Sequence, residues 1–87
     1  MDKFSVIKLL SDTSRFNMFM KLLEYDELSV CEIEELVGIK QSNTSKHLKK
    51  FKDLEIVSSK RVKNMIKYKI KEDFLNENAD LIKYLMM

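Results

Sequence analysis

Residues 41 to 50 carry a dense group of polar and basic side chains that can form hydrogen bonds with an extended, negatively charged partner. The group consists of amides, hydroxyls and amines: Gln41, Ser42, Asn43, Ser45, Lys46, Lys49 and Lys50. Side-chain amides pair with adenine and lysine amines pair with guanine at base edges, while further lysines neutralise phosphates. We therefore expect double-stranded DNA as the partner, with Lys49 and Lys50 on its phosphates.

Except for Gln41, these side chains share one face of a predicted helix that runs from about Gln41 to Leu54. At about 100° per residue, the opposite face of that helix holds residues suited to packing inward: Thr44, His47, Leu48 and Phe51. Lys40 is a poor N-cap for it, because a Ser, Thr or Asp would be expected there. His47 is expected either to be satisfied in the core or to contact a phosphate.

A second predicted helix comes before this one and ends at a tight turn. Ser29 can accept from the free N–H groups of the first turn, and Glu32 three residues later completes a capping box. Gly38, the only glycine in the sequence, adopts the left-handed conformation that ends many helices without steric cost. Two short helices joined in this way across residues 29–54 are typical of a helix-turn-helix.

Two further helices are predicted on the N-terminal side of this unit. A short apolar one ends near Leu10. The next runs to about Glu24 from an N-cap at Ser11 or Asp12, and its apolar face indicates a central core helix.

On the C-terminal side, alternation predicts strands over Ile56–Val62 and Met65–Lys71, joined by a turn in which Asn64 is left-handed. A final helix is predicted from about Glu72. The fold class is therefore mainly α with a small β-hairpin (α+β), in the order α-α-α-α-β-β-α. This is a winged helix-turn-helix, predicted as a single domain over residues 1–87.

Charge is distributed unevenly along the chain. The formal net charge is +2, but residues 1–39 sum to −4, residues 40–71 to +9 and residues 72–87 to −3. A merely solvated lysine-rich face is the alternative explanation of such a basic centre. We expect instead that the hairpin follows the DNA backbone or the minor groove with its cations: Lys60, Arg61, Lys63 and Lys67.

Both ends of the chain are rich in apolar residues, which predicts a homodimer. A chain this short is marginal as a monomer and exposes few large apolar patches without a partner. The predicted interface lies on the helices at about 3–10 and 72–87 and comprises Phe4, Ile7, Phe74, Leu75, Ile82 and Leu85.

Cys31 is the only cysteine, so no disulfide can form within one copy of these 87 residues. It is expected to be half-buried and structural, with a reactive redox thiol as the alternative. No metal site or cofactor is predicted. The sequence shows no paired carboxylates, no glycine-rich phosphate loop and no nucleophile with its base, so an enzyme is not predicted. The absence of a signal-peptide pattern and of a membrane span predicts a cytoplasmic protein.

Several segments together resemble the ArsR/SmtB repressors: Leu10-Ser11-Asp12 with Arg15, Glu27 to Ile33, Gln41-Ser42, and Ser45-Lys46-His47-Leu48. The resemblance covers nearly the whole chain. It implies a winged-helix homodimer, paired through its first and last helices, that binds an imperfectly palindromic operator and represses transcription. Many members of that family release DNA when a metal ion or an oxidant binds them.

The departures from the family pattern concern the effector. Arsenic- and cadmium-sensing members have Glu-Leu-Cys-Val-Cys where this chain has Ser29 in place of the first cysteine and keeps only Cys31. The last helix has no histidine for a zinc-type site. The effector is therefore unknown and not of the known cysteine or histidine types. Two alternatives remain open: a protein-interaction module without DNA binding, and a thiol-redox regulator that acts through Cys31.

Overall fold

The structure, a computed structural model, describes residues 3–87 except for the side chains of residues 41 and 42. Within that part of the chain there are six helices and three strands. They are α1 (Lys3–Leu10), α2 (Thr13–Glu24), β1 (Leu28–Ser29), α3 (Val30–Val37), α4 (Gln41–Asp53), β2 (Val57–Val62), β3 (Met65–Ile70), α5 (Glu72–Glu77) and α6 (Ala79–Leu85).

Local capping groups set the ends of the helices that form the helix-turn-helix. The Ser29 hydroxyl accepts from the Glu32 backbone N–H at 3.2 Å, and the Glu32 carboxylate accepts from the Ser29 N–H at 2.8 Å, so the predicted capping box is confirmed. Gly38 ends α3 in the left-handed conformation, with φ of 76°. Lys40 provides no side-chain cap for α4, as expected. Of the two candidates for the cap of α2, Asp12 is the one used.

The hydrophobic core fixes α4 by its inward face. Thr44 and Phe51 are fully buried and Leu48 is 1% exposed, which confirms the predicted face. The Phe51 ring stacks on Phe19 of α2 with centroids 6.3 Å apart, and Phe74 meets Phe19 edge-on at 5.9 Å. Because these aromatic contacts hold α4 from behind, its other face is left towards solvent.

The three strands form an antiparallel sheet in the order β1-β3-β2. The hairpin of β2 and β3, called the wing below, is confirmed. The strand β1 was not predicted, because its two residues are too short to show alternation. It pairs Leu28 with Tyr68 and Ser29 with Lys67, and so attaches the start of α3 to the wing.

Two local predictions were wrong. In the wing turn the positive φ belongs to Lys63, at 58°, and not to Asn64. The final helix is broken into α5 and α6 at Asn78, which has φ of −120°. The Asn78 side chain is buried, and its amide donates to the Phe74 carbonyl at 3.1 Å. Since this amide bonds the backbone of its own helix, the chain turns there instead of continuing straight.

Candidate nucleic-acid interface

The outward face of α4 is exposed along its described length. Asn43, Ser45, Lys46, Lys49 and Lys50 are all exposed, as the helical spacing predicted. The predicted contacts of Gln41 and Ser42 lie outside the described side chains. A rigid helix that presents amide, hydroxyl and amine groups on one side has the form of an element that enters a DNA groove.

Charge pairing differs among the lysines of this face. Lys49 Nζ lies 3.2 Å from an Asp53 carboxylate oxygen, four residues along the helix, and both side chains are largely exposed. Among the described residues, neither Lys46 nor Lys50 has a carboxylate within 4.0 Å. Lys46 and Lys50 are therefore the described cations of this face that have no acid partner when a polyanion approaches.

His47 lies half-buried at the edge of this face and contacts α2. Its Nδ1 is 3.5 Å from Arg15 Nη1, while Arg15 Nε donates to the Leu9 carbonyl at 2.6 Å. Burial lowers the pKa of His47, and the charges of Arg15 and Lys50 act in the same direction, against Asp12, which raises it. A neutral imidazole can accept from Arg15 through Nδ1. His47 thus helps to position α4 against α2, and its contact with a phosphate stays a prediction.

The wing is attached to α4 by one hydrogen bond that sequence reasoning missed. Lys52 Nζ donates to the Ser59 hydroxyl at 3.0 Å. Lys52 lies on the flank of α4, between the inward and the outward face. Its place on the flank could have indicated a contact with a neighbouring element. The sequence could not identify Ser59 as the partner, because that contact depends on the tertiary fold.

The predicted cations of the wing have different surroundings. Arg61 and Lys63 are exposed at the end of the hairpin. Lys60 lies opposite Lys67 across the strands, and its Nζ is 3.1 Å from a Glu27 carboxylate oxygen. Hydrogen bonds from Ser29 lower the pKa of Glu32, and the charge of Lys67 lowers it further. Of the four predicted cations, two are therefore exposed at the end of the wing, and Lys60 is paired with an acid.

The predicted dimer residues lie on α1, α5 and α6. Phe4 is 73% and Ile7 56% exposed, whereas Leu75, Ile82 and Leu85 are half-buried. Phe74 is 2% exposed, since its ring packs in the core of its own chain. The outer helices thus present an apolar surface to solvent, but Phe74 is not part of it.

Cys31 is exposed in the first turn of α3, which corrects the expectation of a half-buried thiol. Cys31 lies on the side of α3 that points away from the buried Ile33, so its thiol faces solvent. Within the described side chains, no group of three or more His, Cys, Asp or Glu residues is placed to hold a metal ion.

Comparison with known proteins agrees with this architecture. Residues 12–59 match the family model described as bacterial regulatory protein, arsR family. The chain belongs to the arsR family. It is 33% identical over 81 residues to the arsenical resistance operon repressor of Staphylococcus xylosus, covering 90% of this chain and 77% of that protein.

Two other comparisons extend this result. The cadmium resistance transcriptional regulatory protein CadC of Listeria innocua is 36% identical over 64 residues, which are 74% of this chain but 54% of that regulator. The crystal structure of the transcriptional repressor BigR from Xylella fastidiosa superposes with a TM-score of 0.79 at 31% identity, over 93% of this chain and 79% of that one.

The family consists of DNA-binding transcriptional regulators, not enzymes, and this ArsR-family chain has their winged-helix fold. None of the helices within residues 3–87 is long and apolar enough to cross a membrane.

Proposed function

We propose that this ArsR-family regulator binds an imperfectly palindromic operator as a homodimer in the cytoplasm and represses transcription there. The observation that carries the proposal is the combination of an exposed polar and basic face on α4 with an inward face locked to the core by Phe51 and Phe19. Because the core already fixes α4, the helix can enter the major groove without losing further conformational entropy.

Contacts on this surface divide into two kinds. The N-terminal turns of α4 meet base edges with Asn43, Ser45 and Lys46, joined by Gln41 and Ser42 on the sequence prediction alone. Lys49 and Lys50, further along α4, meet phosphates, and the wing adds backbone contacts next to them. Each good base contact contributes ~1–3 kcal/mol of discrimination, while the phosphate contacts supply affinity without sequence preference.

The second copy is proposed to pack against α1 and α6. Phe4 and Ile7 expose large apolar side chains on α1, and Ile82 and Leu85 lie half-buried on α6. Burying such groups against a symmetric copy removes apolar surface from water. This stabilises the dimer by about 25 cal/mol for each Å² buried. Two-fold symmetry then requires half-sites about 10 bp apart from centre to centre, or a multiple of that distance.

The effector is proposed to differ from the metal ions for which the arsenical and cadmium resistance relatives are named. A soft-metal site needs two or three converging thiolates. These 87 residues hold one cysteine, with Ser29 where the resemblance places the family's first one, so a single copy cannot form such a site unless the two copies share it.

The exposure of Cys31 favours a second candidate mode of control, in which oxidation of this thiol changes DNA affinity. A peroxide oxidises a thiolate to a sulfenic acid and is itself reduced to water. On this hypothesis, hydrogen peroxide changes the affinity of the wild type and leaves that of Cys31→Ser unchanged. Equal affinities with and without peroxide would remove the candidate.

Selection of bound sequences from a random duplex pool tests the main proposal. The full chain is mixed with the pool, and the retained duplexes are amplified and sequenced. We expect an enriched sequence with two related halves in inverted orientation. A pool that stays random after several rounds would instead support a protein-interaction module. Enrichment of a single half-site without its inverted repeat would contradict binding as a dimer.

A further inference from the structure

The two faces of the wing are not equivalent. Successive side chains of a strand point to opposite faces of the sheet. In the observed register, Ser59 and Arg61 of β2 therefore share one face with their partners Tyr68 and Ile66. Lys60 shares the other face with its partner Lys67.

Contacts with the rest of the chain identify which face lies on the side of α4. Lys52 of α4 reaches Ser59 at 3.0 Å, so the face that carries Arg61 is the one next to the DNA-binding helix. Lys60, on the other face, lies 3.1 Å from Glu27, which precedes β1. The faces of the wing are thus held by different parts of the molecule.

The acid beside Lys60 has a clear electrostatic role. Like charges directly opposite each other across two strands are destabilising, and Lys60 and Lys67 are such a pair. Glu27 is 28% exposed, so its charge is less screened by solvent than that of a fully exposed carboxylate.

We propose that Glu27 keeps Lys60 out of the DNA interface, so that of the two adjacent cations of β2 only Arg61 contacts phosphates, together with Lys63 in the turn. This inference rests on the proposed DNA binding and revises the residues that make it. Arg61 lies on the side of α4, Lys63 lies in the turn, and neither has a carboxylate within 4.0 Å in the described part of the chain. Glu27 thereby limits the non-specific affinity of the protein.

Salt dependence can separate the two kinds of cation. A lysine that neutralises a phosphate releases a counterion, and each such contact adds roughly 0.9 to the steepness of log K against log salt. A lysine that keeps its carboxylate partner in the complex releases none. Arg61→Gln is therefore expected to reduce the steepness by roughly 0.9 per protomer, whereas Lys60→Gln leaves it unchanged.

Removal of Glu27 provides a second measurement. In Glu27→Gln, Lys60 loses its partner and becomes available, so the slope is expected to steepen by roughly 0.9 per protomer. Adding Lys60→Gln to that variant should return the slope to the wild-type value. Glu35→Gln removes the same charge from an exposed position on α3 and controls for net charge. Its slope is expected to match the wild type.

Affinities are measured for the full chain on one duplex at four salt concentrations. Equal loss of slope in Lys60→Gln and Arg61→Gln would overturn the inference and leave the proposed function intact. So would a Glu27→Gln slope equal to that of Glu35→Gln. Absence of any duplex binding by the wild type would overturn the proposed function together with this inference. Thermal unfolding of each variant confirms that it is folded, which is expected because Lys60 and Arg61 are exposed.

Discussion

At the scale of single residues, two side chains decide how the helix-turn-helix is held together. The Ser29 hydroxyl accepts from a free N–H group at the start of α3. His47 of α4 contacts Arg15 of α2. The stability of variants at these two positions therefore tests the scaffold separately from DNA contact.

Ser29→Ala is expected to lower the free energy of unfolding by about 0.5–2 kcal/mol, because it removes the hydroxyl that caps α3. Urea unfolding followed by circular dichroism measures this change. Glu32→Gln is the matched control, since a glutamine at that position can still accept from the Ser29 N–H. A Ser29→Ala protein as stable as the wild type would show that the capping box contributes nothing.

The stability of the wild type is expected to fall as the pH drops from 7.5 to 5.5. The pKa of His47 is lowered from 6.5 in the folded chain, so below pH 6.5 the unfolded chain binds more protons and unfolding becomes easier. The lowered pKa values of Asp12 and Glu32 act in the same direction but only nearer pH 4, because the ordinary values are 3.8 and 4.5.

Melting temperature against pH measures this dependence, and His47→Gln serves as the comparison because its amide oxygen can still accept from Arg15. The variant should lose the decline between pH 7.5 and 5.5. An identical decline in both proteins would assign the effect to another group.

At the scale of elements, α4 and the wing have different proposed roles in DNA binding. On the proposed function, the exposed face of α4 distinguishes bases, while the cations at the end of the wing meet the same phosphates in any sequence. Both elements are fixed to one core through Phe51 and Val57, which are buried. Loss of a side chain from one element should therefore leave the other in place.

Asn43→Ala is expected to relax base preference at one position of each half-site, at a cost of about 1–3 kcal/mol on the preferred base. Arg61→Ala should weaken binding to all duplexes alike. Competition binding with a set of single-base variants of the selected duplex distinguishes these outcomes. If both proteins showed the same uniform loss, Asn43 would not contact a base.

Much of this element structure could be predicted, because its signals are local. The capping box at Ser29, the glycine at position 38 and the helical spacing of α4 all act within a few residues. The rest depends on contacts between distant segments. The pairing of Leu28 with Tyr68, the bond from Lys52 to Ser59 and the ion pair of Lys60 with Glu27 leave no periodic pattern. The break at Asn78 comes with the hydrogen bond of its side chain to the Phe74 carbonyl, which the sequence pattern does not reveal.

At the scale of the whole molecule, the outer helices and the basic centre are the features on which the proposed symmetric dimer rests. A winged helix of this size leaves Phe4, Ile7 and Tyr84 largely exposed at its ends. A second copy on α1 and α6 would cover such groups and set the distance between the two α4 helices. The operator spacing and the dimer interface are thus two consequences of one geometry.

Ile7→Glu is expected to convert the dimer to a monomer at micromolar concentration, because it places a charge in the proposed apolar interface. Sedimentation measures the mass. Ile66→Glu makes the same change at a comparably exposed isoleucine on the wing, 42% against 56% exposed, and should stay dimeric. A wild type that sediments as a monomer would rule out the interface.

The spacing of the two half-sites on DNA tests the central claim most directly. Affinity is measured for the selected duplex and for the same duplex with 5 bp inserted at its centre, which turns one half-site to the opposite side of the helix. We predict two protomers per duplex and loss of tight binding after the insertion, because a rigid two-fold dimer places both α4 helices on one side of the DNA. One protomer per duplex, or an affinity that the insertion leaves unchanged, would contradict it.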